Sequence, residues 1–156
     1  MRRAATTAFL VLIAVGVTAC ASTSNASPEM SEAAKSFEAP DDKGLVFLYR
    51  TGRMVGAAGA IEVSVNGQAA GGTGPGTFFR WELEPGSYTF HSSTGEASAT
   101  VALEVEAGAV YFIEQNARMG LNTGRVSMEE VDAQRGRSQV SNMQLLVSAY
   151  VPTGVE

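Results

Sequence analysis

The feature that most constrains the fold is the punctuation of the chain beyond residue 45. Short runs of β-branched, aromatic and aliphatic residues recur at regular intervals, separated by glycine, proline and asparagine. Such runs are too short for helices packed in a bundle and have the length and composition of strands. Leu45-Val46-Phe47-Leu48-Tyr49-Arg50 is apolar almost throughout, which predicts a central strand covered on both faces. Ile61-Glu62-Val63-Ser64-Val65 alternates strictly, with Ile61, Val63 and Val65 toward a core, and Asn66-Gly67 supplies the positive φ values of a tight hairpin into Gln68-Ala69-Ala70. Further strands are expected over 77–83, from Ser87 to His91, within 96–106, over 110–114 and over 125–131. Glu84-Pro85-Gly86 has the residue order of a type II turn, and Ala107-Gly108 marks another turn. Seven or eight strands at this spacing predict an all-β fold, an antiparallel β-sandwich.

Two helical signals flank the strands. Ser27, Pro28 and Glu29 suit an N-cap, a first helical residue and a first-turn acid, and Met30, Ala33, Ala34 and Phe37 then share a face. A short N-terminal helix near 28–37 is expected, with Phe37 as the natural docking side chain. Val140, Met143 and Leu146 fit a second short helix near 138–146. Residues 21–27 are small and polar, and read as a flexible tether.

The chain has 156 residues and one cysteine, Cys20, so no intramolecular disulfide can brace it and apolar packing must. Arg2 and Arg3 precede an apolar run from Ala8 to Val17 that is too short for a membrane span, and small residues lead into Cys20. This layout resembles a bacterial lipoprotein signal. The resemblance implies cleavage before Cys20, with a lipid on its sulfur and usually another on its amine. Several acyl chains, each burying methylenes worth about 0.8 kcal/mol apiece, hold a protein to a bilayer where one chain is marginal. The expected organisation is a signal peptide over 1–19, a lipid-anchored tether with a short helix over 20–43 and one β-domain over 44–156. Without Arg2 and Arg3, nine basic residues face 16 acidic ones, a formal charge of −7 that disfavours nucleic acid and anionic headgroups.

Sites of recognisable chemistry are scarce. The glycine-rich stretch 71–76 lacks the Lys-Ser or Lys-Thr and the following helix of a phosphate loop, and reads as a mobile loop. His91 is the only histidine and has no companions for a zinc site, and no nucleophile elbow surrounds Ser87, Ser92 or Ser93. Glu104, Glu106 and Glu114 alternate with apolar residues as a solvated strand face should, and Asp41-Asp42 offers too few ligands for calcium. Arg50, Arg53, Arg135 and Arg137 read as solvated arginines beside strands. No metal, cofactor or catalytic residue is expected. Phe78, Phe79 and Trp81 stand out, because neighbouring residues on a strand point to opposite faces. Core packing accounts for them, yet an exposed aromatic face would make them a candidate interaction surface.

Ala34-Lys35-Ser36-Phe37-Glu38-Ala39-Pro40 with Lys43-Gly44-Leu45-Val46-Phe47-Leu48-Tyr49-Arg50, then Glu84-Pro85-Gly86-Ser87-Tyr88, then Glu106-Ala107-Gly108-Ala109-Val110-Tyr111-Phe112, form an ordered set. Together they resemble bacterial lipoproteins carrying the domain-of-unknown-function family 2846, over roughly residues 34–132. The resemblance implies a β-sandwich and an envelope lipoprotein, and no reaction. Gly44 departs from the bulky residue usual there, and 52–59 is richer in glycine and alanine than the pattern. The leading expectation is a non-enzymatic protein, held to the membrane through lipid on Cys20, on the periplasmic face of the outer membrane, acting as a scaffold for an envelope protein partner. The alternative is a small-ligand or glycan binder using the loops 52–59 and 71–76 at one end of the sandwich. A hydrolase would need His91 beside a serine or carboxylate.

Overall fold

The computed structural model describes residues 23–52, 59–121 and 124–152. Nine strands occur among them: β1 (Gly44–Arg50), β2 (Ile61–Val65), β3 (Gln68–Thr73), β4 (Thr77–Leu83), β5 (Gly86–Ser93), β6 (Ser98–Val105), β7 (Val110–Met119), β8 (Gly124–Val131) and β9 (Gln144–Leu145). They form a five-stranded sheet, β8-β7-β1-β4-β9, and a four-stranded sheet, β3-β2-β5-β6. The expected sandwich is therefore present and largely antiparallel. The exceptions are β1 beside β7 and β4 beside β9, which run parallel. A parallel pair needs a long crossover. Between β1 and β7 that crossover contains β4 and the whole four-stranded sheet.

Between the sheets lies the larger core. Val46 and Leu48 of β1, Val63 and Val65 of β2, Phe79, Trp81 and Leu83 of β4, Phe90 of β5 and Ile113 of β7 meet there. Trp81 stacks on Phe79 at 5.3 Å and meets Phe90 and Tyr150 at 5.8 and 6.2 Å. A second cluster covers the opposite face of the five-stranded sheet, where Leu45, Phe47 and Tyr49 of β1 join Phe78, Phe112, Val140 and Met143. This explains the continuous apolar run in β1, whose seven residues are all buried. One face meets the second sheet and the other meets a helical layer.

That layer is built by α1 (Pro28–Ala33), a 3₁₀ turn over Ala34–Ser36 and α2 (Ala133–Val140). Ser27 caps α1 by accepting from the Met30 amide, with Pro28 at the first helical position. Phe37 closes the 3₁₀ turn at φ 55° and puts its ring 5.2 Å from Phe47 and 5.9 Å from Phe112. It is the docking side chain the sequence suggested. The second helix begins earlier than the apolar spacing implied: Asp132 caps it by accepting from the Arg135 amide, and residues 144–145 are strand. Asn66 and Gly67, at φ 49° and 79°, form the predicted hairpin turn. Ala107-Gly108 also forms the predicted turn, with Gly108 at φ 74° and the Ala109 amide donating to the Glu106 carbonyl at 3.3 Å, and both this turn and Glu84-Pro85 carry the chain from one sheet to the other.

Two loop readings change. Residues 23–27 are docked rather than free: the Ala26 amide donates to the Leu145 carbonyl and the Val147 amide to Ser24, at 2.9 Å each, while the Gly72 amide donates to Thr23 Oγ1. The glycine-rich stretch is also ordered, since Gly71, Gly72 and Thr73 belong to β3 and Thr73 is wholly buried. Gly44 has a steric reason. A Cβ there would come within 2.8 Å of the Glu106 carbonyl oxygen and collide with Val105, so a bulky residue would part β1 from the turn beside it.

Candidate functional site

Among the described residues, three groupings combine polar chemistry or open surface with several converging elements. The first lies on the helical face of the five-stranded sheet. Phe112 and Glu114 share that face of β7, and because α2 covers it, Glu114 is buried rather than solvated like Glu104 and Glu106. Tyr49 Oη donates to Glu114 Oε2 at 2.7 Å, and Arg135 Nη2 and Asn116 Nδ2 donate to Oε1 at 2.8 and 3.0 Å. Burial would raise the Glu114 pKa, but these three donors and the Arg135 charge outweigh it and hold the carboxyl below its ordinary range. The Tyr49 hydroxyl is pushed well up, first by burial and then by the carboxylate it serves. A carboxylate held by three donors is a poor proton acceptor, and here it ties α2 to β1 and β7.

Between the sheets, beyond Val46 and Leu48, lies the second grouping. Arg50 is buried instead of solvated, and its Nη1 donates to the carbonyls of Gly59 and Thr73 at 2.8 and 2.9 Å. Burial lowers its pKa. Thr73 Oγ1 donates to Gln115 Oε1, Gln115 Nε2 to Ser92 Oγ at 2.7 Å, and Ser92 Oγ to Met128 Sδ at 3.1 Å. Each buried polar group in this row is answered by another. The row staples the sheets and leaves Ser92 no base to activate it.

The third is a groove of about 420 Å³ at the opposite edge of the five-stranded sheet. Met30 and Ala33 of α1, Ala26, Ala34 and the segment 145–148 form its walls, and Arg80 of β4 contributes its charge. Met30 and Val147 are 57% and 49% exposed, so two large apolar side chains stand open at its rim. Arg80 Nη2 pairs with Glu82 at 2.7 Å, while Arg80 Nε is the one buried side-chain nitrogen or oxygen without a partner among the described residues.

Phe78, Phe79 and Trp81 do not form an exposed surface: they are 0%, 0% and 4% exposed, because β4 is covered on both faces. His91 lies on β5 with its Nδ1 3.0 Å from Thr100 Oγ1, and Ser87 donates to Glu104 at 2.6 Å on the neighbouring strand. Arg135 holds Glu114, and Arg137 lies over the Phe37 ring at 5.8 Å. Cys20, Arg53 and most of the 52–59 loop lie outside the described residues. No group of three or more histidine, cysteine, aspartate or glutamate residues is gathered among the described ones. Sequence reasoning missed Glu114 and Arg50, although an acid and a base in strands apolar on both sides were the available signal. The groove had none, since its walls come from segments more than a hundred residues apart.

Residues 40–128 match the sequence pattern of a family described as protein of unknown function (DUF2846). That segment runs from before β1 into β8, so of the groove's lining it contains Arg80 alone. An uncharacterized protein of Haemophilus influenzae is 27% identical over 143 residues, covering 90% of this chain and 84% of its own length.

Proposed function

The chain belongs to the DUF2846 family of proteins of unknown function, and from that premise we propose a non-catalytic, lipid-anchored domain of the bacterial envelope that binds a small apolar ligand. The groove beside α1 carries this reading. Its volume and largely apolar lining, with one cationic group, are those of a small-molecule site. A scaffold for protein partners would be better served by an exposed aromatic face, and the aromatic residues of β4 are core. The polar clusters favour structure over catalysis: Ser92 and His91 bond to uncharged side chains, and Glu114, held below its ordinary range by three donors, has beside it a tyrosine hydroxyl pushed well up, so neither member of that pair is poised to exchange a proton near neutral pH. Anchoring rests on the signal-like segment ending at Cys20.

Native mass spectrometry of the protein released gently from bacterial membranes tests both parts. The expected spectrum shows an acyl mass on Cys20 and a small-molecule non-covalent adduct, lost in Val147→Asp. An unmodified Cys20 would remove the anchor. A ligand-free protein that reproducibly carries one envelope protein would return the function to a scaffold.

A further inference from the structure

Resting on the reading of the groove as a ligand site, we infer that its ligand is a single-chain carboxylate, an unbranched acyl tail with its head on Arg80. The tail follows from the walls. Ala26, Ala33 and Ala34 are small and leave the channel open, Leu145 and Leu146 line it, and Met30 and Val147 stand at its rim. Allowing about 30 Å³ per methylene, near the volume of a liquid water, 420 Å³ takes roughly a dozen carbons. Two-chain lipids exceed that space.

The head follows from Arg80. Its guanidinium is the only charged group lining the groove among the described residues, so an anionic head is the complementary one. One nitrogen is engaged by Glu82, whose side chain is 41% exposed and able to swing away. Nε is buried without an acceptor, an unmet donor that an arriving acceptor would satisfy. A carboxylate presents two oxygens in a plane and can take the Nε and Nη hydrogens side by side once the guanidinium, released from Glu82, turns its buried Nε toward the groove. It would relieve the unmet donor while Glu82 turns to water. In a protein of net negative charge, a local cation on an apolar wall is what allows an anion to settle there.

The test uses the full chain in phosphatidylcholine nanodiscs and a dodecanoic acid carrying a photoactivatable diazirine near its methyl end, with sites of labelling mapped by mass spectrometry. Labelling is expected within 26–34 and 145–148. It should be competed by dodecanoic acid, at least tenfold less well by dodecanol, and reduced about tenfold in Arg80→Gln. Ala33→Phe, which fills the groove without touching the charge, should abolish it, with circular dichroism confirming that both variants stay folded. Groove labelling competed equally by dodecanol and unchanged in Arg80→Gln would overturn the carboxylate assignment and leave an apolar ligand site standing. Labelling scattered over the surface and indifferent to Ala33→Phe would overturn both.

Discussion

Glu114 shows how one buried residue can couple this fold to pH. Its carboxylate receives hydrogen bonds from Tyr49, Asn116 and Arg135, and its pKa in the folded chain lies below the ordinary carboxylate value. A carboxyl with a depressed folded pKa stabilises the fold fully above its unfolded pKa, about 4.3 for glutamate, and loses that contribution as pH falls through the folded value. Glu114→Gln keeps the side chain's shape but removes the charge and presents an amide to donors. It should cost about 1–3 kcal/mol at neutral pH. The gap between wild type and variant, measured by urea unfolding, should stay constant above about pH 5.5 and narrow below about pH 4. A gap independent of pH would mean that Glu114 is not the titrating group. Arg135 is half exposed, so its ion pair alone is screened, and the buried Tyr49 bond carries more of the effect.

At the scale of elements, α2 is the least legible from sequence and the most sensitive to a single methyl group. AQRGRSQV has one large apolar residue, Val140, and a central glycine, which argues against a helix by propensity. It forms because Asp132 caps it, Arg135 reaches Glu114, and Gly136 lets the backbone lie directly on Phe112. A Cβ at residue 136 would fall inside the space of the Phe112 ring. In an isolated helix Gly→Ala gains about 0.8–1.0 kcal/mol; here Gly136→Ala should cost about 1–3 kcal/mol by overpacking. Urea unfolding decides the sign, and a stabilised variant would show that α2 does not rest on Phe112. The strands are more legible because period-two alternation and a two-residue turn are local signals, so β1 and β2 fall where Leu45-to-Arg50 and Ile61-to-Val65 place them. The apolar spacing puts the helix too late because it runs on through Met143 and Leu146, whereas in the fold these belong to a bend and a bridge to Asn25. Burial of Glu114 and Arg50 depends on which strands become central, and that is decided by pairings between distant segments.

For the whole molecule, the consequence of the topology is that no layer is independent. The five-stranded sheet is shared: its inner face completes the core against β2 and β5, and its outer face completes the core under α1 and α2. The N-terminal segment closes the β9 edge, so the first and last described parts of the chain meet. With one cysteine there is no disulfide to hold any part when the rest opens. Trp81, the sole tryptophan, sits where Phe79, Phe90 and Tyr150 converge, and its Nε1 donates to Ser148 at 2.9 Å. Its fluorescence therefore reports the core between the sheets and the C-terminal segment together. A chain of this size and architecture should unfold in one cooperative step. Trp81 emission, far-ultraviolet circular dichroism of the strands and exchange of the α2 amides should accordingly lose the folded signal at one urea midpoint, in the presence or absence of a reductant. Earlier release of the α2 amides would mean that the helical layer can lift from Phe47 and Phe112 while the sandwich stays closed, contrary to the shared core described for β1.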